Sequence, residues 1–104
     1  MTKWVTEQLA DWASALRPDQ LPVDVLDKAG DCILDAIACA IAGNQMDGAI
    51  RVRAAAQSTF GQGLARVWFS DQLAHPTGAA FANAGAASCL DIDDGHRRAN
   101  GHPG

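Results

Sequence analysis

The chain predicts an all-α fold, and three observations carry the prediction. Apolar residues recur at three- and four-residue steps over four separate stretches. Pro, Gly and Asn punctuate the intervals between those stretches. Only one run, Ala65-Arg66-Val67-Trp68-Phe69, has β character, as a brief strand or an extended connector. The result is about four helices, near 2–16, 23–42, 47–60 and 76–89, followed by a polar loop over 90–104.

The first helix follows from Val5, Leu9, Trp12, Ala13 and Leu16, which share one face. Thr2 is the expected N-cap, and Glu7 lies too far along from it for reciprocal capping. Arg17-Pro18-Asp19 ends the helix, because a residue before proline avoids the helical region. Leu21-Pro22 opens the second helix with proline in or near its first turn. Its stripe runs through Val23, Leu26, Ile33, Ile37, Ala40 and Ile41, and its C-terminal half is apolar on most sides. A helix apolar all round is a buried one, so this helix is the expected centre of the scaffold. Gly43-Asn44 stops it, with Gly43 free to adopt the left-handed conformation.

Asp47 is the expected cap of the third helix, which packs through Ile50 and Ala54 to Ala56. Gly61-Gln62-Gly63 breaks it. The fourth helix, from Pro76 to Cys89, is built of alanine and glycine. Gly78 and Gly85 each cost about 1 kcal/mol relative to alanine, a cost that close helix contact offsets. Asn83 is the polar exception, and an amide in such a helix serves neighbouring backbone sooner than chemistry.

Composition narrows the function classes. The 104 residues amount to one small domain, 48% hydrophobic and 19% charged, which excludes a disordered chain. Much of the hydrophobic share is alanine and aromatics are 6%, so the chain calls for more partner surface than it brings. A net charge of −4 argues against nucleic-acid binding, which needs a basic face. Cys32 and Cys39 stand roughly 10 Å apart along a helix, too far for a disulfide. All three cysteines read as small apolar residues in a reducing compartment. The N-terminus lacks the apolar segment of a signal peptide, and the stretch from Cys32 to Gly43 is too short to span a bilayer. The expected location is cytoplasmic.

Chemistry is concentrated in Leu90-Asp91-Ile92-Asp93-Asp94-Gly95-His96-Arg97-Arg98-Ala99-Asn100-Gly101-His102-Pro103-Gly104. Four readings compete there. A calcium loop fails, because Gly95, His96 and His102 occupy positions five, six and twelve, where an EF-hand places a ligand, a glycine and a bidentate glutamate. A zinc or iron site lacks any known ligand spacing, so no metal is expected. A solvated loop is the bland reading, with Asp91 or Asp94 ending the helix by local hydrogen bonds. Acid–base chemistry is the fourth. A carboxylate beside a histidine holds the imidazole in one tautomer, and Arg97 and Arg98 supply charge for an anionic substrate in an acidic chain.

The sequence resembles the MmgE/PrpD family, which includes 2-methylcitrate dehydratase, cis-aconitate decarboxylase and iminodisuccinate epimerase. The resemblance is carried by Asp31-Cys32-Ile33-Leu34-Asp35-Ala36-Ile37-Ala38-Cys39-Ala40-Ile41-Ala42-Gly43, by Ala82-Asn83-Ala84, and most specifically by Leu90-Asp91-Ile92-Asp93-Asp94 with His102-Pro103. It departs at Gly95, where a threonine is common, and at Gly104, where a serine often follows. The resemblance implies the N-terminal part of a helical main domain, completed by later sequence and accompanied by a smaller α+β domain. It implies a homodimeric lyase or isomerase that uses no cofactor and moves a proton at carbon in small di- or tricarboxylates. It implies Asp91 and His102 as catalytic residues, with Asp94, His96 and Arg97 as substrate-binding candidates. The fragment alone is then expected to be inactive. The rival expectation is a non-catalytic helical interaction module that docks through its alanine face.

Overall fold

The computed structural model describes residues 3–102. In order along the chain are α1 (Val5–Ala15), a single turn of 3-10 helix (Pro18–Gln20), α2 (Val23–Gly43), α3 (Asp47–Phe60), β1 (Ala65–Arg66), β2 (Leu73–Ala74) and α4 (Pro76–Ala87). The fold is thus mostly helical with one small antiparallel hairpin, in which Ala65 pairs with Ala74 and Arg66 with Leu73.

The N-cap expected at Thr2 lies outside the described residues. The helix itself starts at Val5 with Trp4 in the cap position. Glu7 therefore falls at the third helical position, and its carboxylate accepts from the Trp4 N–H at 2.8 Å. It is too far from Thr2 to cap and well placed for Trp4. Lys3 pairs with Asp11 on the exposed side. None of the helix is buried, and its apolar stripe lies open, with Val5 79% and Trp12 59% exposed.

The expectation that α2 is buried all round needs correction. Only Cys39, Ala40 and Gly43 near its end are buried, while Ile33, Leu34 and Ile41 are exposed. The centre of the packing is α4, which touches α2, α3 and both strands. Its inward residues Gly78, Ala79, Ala82 and Ala86 are small enough to let three neighbours close in on its backbone. The core comprises two alanine-rich clusters. Ala56, Val67, Ala74, Ala79 and Ala82 form one, and Ala40, Ala49 and Ala86 form the other.

Gly43 serves contact rather than turning. It remains helical, and a Cβ there would sit 2.2 Å from the Ala86 carbonyl oxygen. The stop comes instead from Asn44, which donates to the Ile41 carbonyl at 2.6 Å while its own carbonyl accepts from Arg53 at 2.8 Å. Left-handed glycine appears at Gly61, φ 72°, where α3 ends. Asp47 is the first residue of α3 and Met46 its cap, so the Asp47 carboxylate meets the positive end of the helix rather than closing it.

Asn83 performs the structural task expected of it. Its side-chain oxygen accepts from the Trp68 N–H at 2.9 Å, and its amide donates to the Arg66 carbonyl at 3.3 Å. One side chain on α4 thus pins the backbone on both sides of buried Val67. No helix among the described residues is long and apolar enough to cross a membrane.

Candidate active site

The site is built where α4 runs out. Pro76 fits the first turn because it has no N–H to satisfy, and the His75 ring nitrogen Nδ1 accepts from the Thr77 N–H at 3.3 Å. At the other end Ser88 caps the helix, and the Asp91 N–H closes a turn onto the Ser88 carbonyl at 3.2 Å. Asp91 takes the left-handed conformation, φ 53°, which a short polar side chain tolerates. That reversal redirects the chain, and Asp93 swings back under the helix end. There the Ser88 hydroxyl donates to Asp93 Oδ2 at 3.0 Å.

The following residues form a compact loop. The His96 N–H donates to the Gly101 carbonyl at 2.8 Å, and the His96 carbonyl accepts from Ala99 and Asn100 at 3.1 and 2.9 Å. Asn100 adopts a left-handed φ of 51° to complete the return. The bridge between residues 96 and 101 brings His102 back to the carboxylates that precede the loop.

His102 ends between two of them. Its Nε2 lies 3.6 Å from Asp91 Oδ1 and its Nδ1 lies 3.4 Å from Asp93 Oδ2. These are ion-pair distances, longer than hydrogen bonds. The two acids differ sharply in setting. The Asp93 side chain is 10% exposed, and its second oxygen, Oδ1, is buried without a hydrogen-bond donor among the described residues. The Asp91 side chain is 88% exposed and sits on the solvent side of the ring.

Asp93, Asp94 and His102 share the wall of a cavity of about 560 Å³, floored by alanines of α4 and bounded by Arg66, Trp68 and Asn83. Asp91 lies outside that wall. His96 and Arg97 line a separate depression of about 300 Å³ on the outer side of the loop, which His102 also borders. His96 Nδ1 is engaged there by the Ala99 N–H at 3.0 Å. The structure thus brings Asp91 and His102 together, keeps Asp94 on the cavity wall, and holds His96 and Arg97 on the loop's far face.

Two cavity residues escaped the sequence-based expectations. Asp93 went unselected because the resemblance pointed to Asp91 and nothing in the loop's residue types set Asp93 apart, whereas the left-handed Asp91 redirects the chain so that Asp93 turns inward. Arg66 belongs to a two-residue strand whose partner, Leu73–Ala74, has no β signature of its own. Burial raises the pKa of the neighbouring Cys39 thiol, and the charges of Asp35 and Asp93 add to the rise.

Asp91, Asp93 and His102 each present an atom within 4.8 Å of the others, the grouping among the described residues that could hold a cation. Asp93 is part-buried while Asp91 and His102 are exposed, and each ring nitrogen of His102 faces a carboxylate.

Residues 7–104 match the model of the MmgE/PrpD N-terminal domain. The chain is 36% identical over 98 residues to a cis-aconitate decarboxylase of Aspergillus terreus and 30% identical over 98 residues to a cis-aconitate decarboxylase-like protein, oryM, of Aspergillus oryzae. Each alignment covers 94% of this chain and 20% of the relative, so the chain spans about one fifth of the length of the curated relatives it matches. No solved structure matches it significantly. With residues 7–104 of its 104 matched to the family's N-terminal domain, the chain belongs to the MmgE/PrpD family.

Proposed function

We propose that these residues form the N-terminal part of the helical domain of a lyase or isomerase that moves a proton at carbon in a small di- or tricarboxylate. The observation that carries the proposal is the convergence of His102 with Asp91 and Asp93 at the edge of a cavity, in a chain whose relatives include a cis-aconitate decarboxylase. Proton transfer next to a carboxylate needs a positioned acid or base and a place for the charge that develops. His102 gives or takes the proton. Asp93, fixed by Ser88, orients the ring from inside, and Asp91 does so from the solvent side. Asp94 meets the substrate on the cavity wall, while His96 and Arg97 stand at the outer rim where an anion arrives.

Exposed apolar side chains along α1 and α2 support placing this domain within a longer enzyme, where further helices cover them. The same exposure favours the second reading, a helical interaction module that docks without catalysis. A chimera separates the two. In it, this chain replaces the matching segment of the Aspergillus terreus enzyme. The chimera is expected to release carbon dioxide from cis-aconitate or to turn over 2-methylcitrate, and the isolated chain is expected to do neither. A folded, dimeric chimera inactive on both acids and on an aspartate-derived imine would refute the enzymatic reading.

A further inference from the structure

Resting on that reading, we infer that Arg66 receives a distal carboxylate of the substrate and so decides which acids the cavity accepts. Arg66 is the one Lys or Arg lining the cavity, whose wall also carries Asp93 and Asp94. A polycarboxylate entering beside two acidic groups is repelled unless a cation stands within reach. A guanidinium suits that task, because its fork meets a carboxylate with two parallel hydrogen bonds.

The position of Arg66 is held from outside its own strand. Asn83 accepts from the Trp68 N–H and donates to the Arg66 carbonyl, so the residue's backbone is tied to α4. At the end of the same helix, Ser88 donates to Asp93. Ser88 lies five positions after Asn83, an axial offset of about 7.5 Å. A single helix therefore anchors both ends of the span between the strand that carries Arg66 and the carboxylate beside His102. Monoacids reach one end of that span only. Asn83 is a positioning residue in this scheme, and Arg66 contacts substrate.

The test uses the isotopically labelled 104-residue chain, titrated with propane-1,2,3-tricarboxylate and, separately, with butyrate. Nuclear magnetic resonance follows the Arg66 side chain, the Trp68 amide and the His102 ring. The triacid is expected to shift all three. Arg66→Gln weakens its Kd by about 10- to 100-fold, the loss of one charge-assisted contact, and butyrate, which reaches the Arg66 end alone, shifts the Arg66 side chain without shifting the His102 ring. Arg66→Lys restores part of the loss, and Arg51→Gln, at an exposed position of α3, has no effect. Retained spectral dispersion confirms that each variant folds. An unchanged triacid Kd in Arg66→Gln, with His102→Asn still weakening binding, overturns the role of Arg66 and leaves the acid–base reading standing. An equal loss in Arg51→Gln overturns it too, as nonspecific charge attraction. A triacid that shifts none of the three groups in the unsubstituted chain overturns the role of Arg66, while the acid–base reading stands or falls with the chimera.

Discussion

His102 Nδ1 lies 3.4 Å from Asp93 Oδ2, across a loop that leaves the helix end and returns to it. The same carboxylate oxygen accepts from Ser88, so a helix terminus and a loop terminus meet on one atom. A buried carboxylate is costly without such donors.

The close approach of α2 to α4 makes a sharp prediction about two glycines of α2. A Cβ at Gly43 meets the Ala86 carbonyl oxygen at 2.2 Å, and one at Gly30 meets nothing within 4 Å. Gly43→Ala is expected to lower stability by about 1–3 kcal/mol, because helix backbones must part. Gly30→Ala is expected to raise it by about 0.5–1 kcal/mol, the helix propensity difference. Urea denaturation of both variants checks the contrast in sign.

Asn83→Ala removes both bonds that hold the hairpin to α4. The expected loss is about 1–3 kcal/mol, and the amides of Trp68 and of the strand pair should exchange with solvent faster. Hydrogen exchange resolved by residue reads this directly, and unchanged protection at Trp68 would contradict the clamp.

Cys39 is buried, and its pKa is raised first by that burial and then by the charges of Asp35 and Asp93. The folded state favours the neutral thiol more than the unfolded state does. The stability gained is complete below the usual thiol pKa and is lost as pH climbs through the raised value. The urea midpoint should therefore fall on the alkaline side, and Cys39→Ala should flatten that fall. Iodoacetamide should label Cys39 at a small fraction of its rate in the unfolded chain.

The exposed stripe of α1 carries a prediction about dynamics. With no residue of α1 buried, its amides should exchange faster than those of α3 around Ala49 and Ala56, which are buried. Equal protection in the two helices would show that α1 is packed more firmly than its exposure indicates.

Much of the helical layout was legible in the sequence, because local signals set it. Pro22 and Gly61 bracket α2 and α3, and the Ala/Gly stretch after Pro76 is α4. What escaped depends on long-range contact. Gly43 looks like a turn glycine until Ala86 is placed against it. Leu73–Ala74 becomes a strand only because Ala65–Arg66 lies beside it. The loop stood out in the sequence by its Asp and His content, and the structure places His102 beside Asp91. The inward position of Asp93 depends on one left-handed residue, and no pattern of residue types encodes that choice.

The central claim is that His102 transfers the proton, and the chimera with the Aspergillus terreus enzyme tests it most directly. His102→Asn keeps the ring's approximate size and one polar contact but loses its acid–base capacity. Its kcat is expected to fall by about 10²- to 10⁴-fold, the usual contribution of a positioned proton-transfer group, with the chimera still folded and dimeric. A His102→Asn chimera that turns over at the rate of its parent would contradict the account.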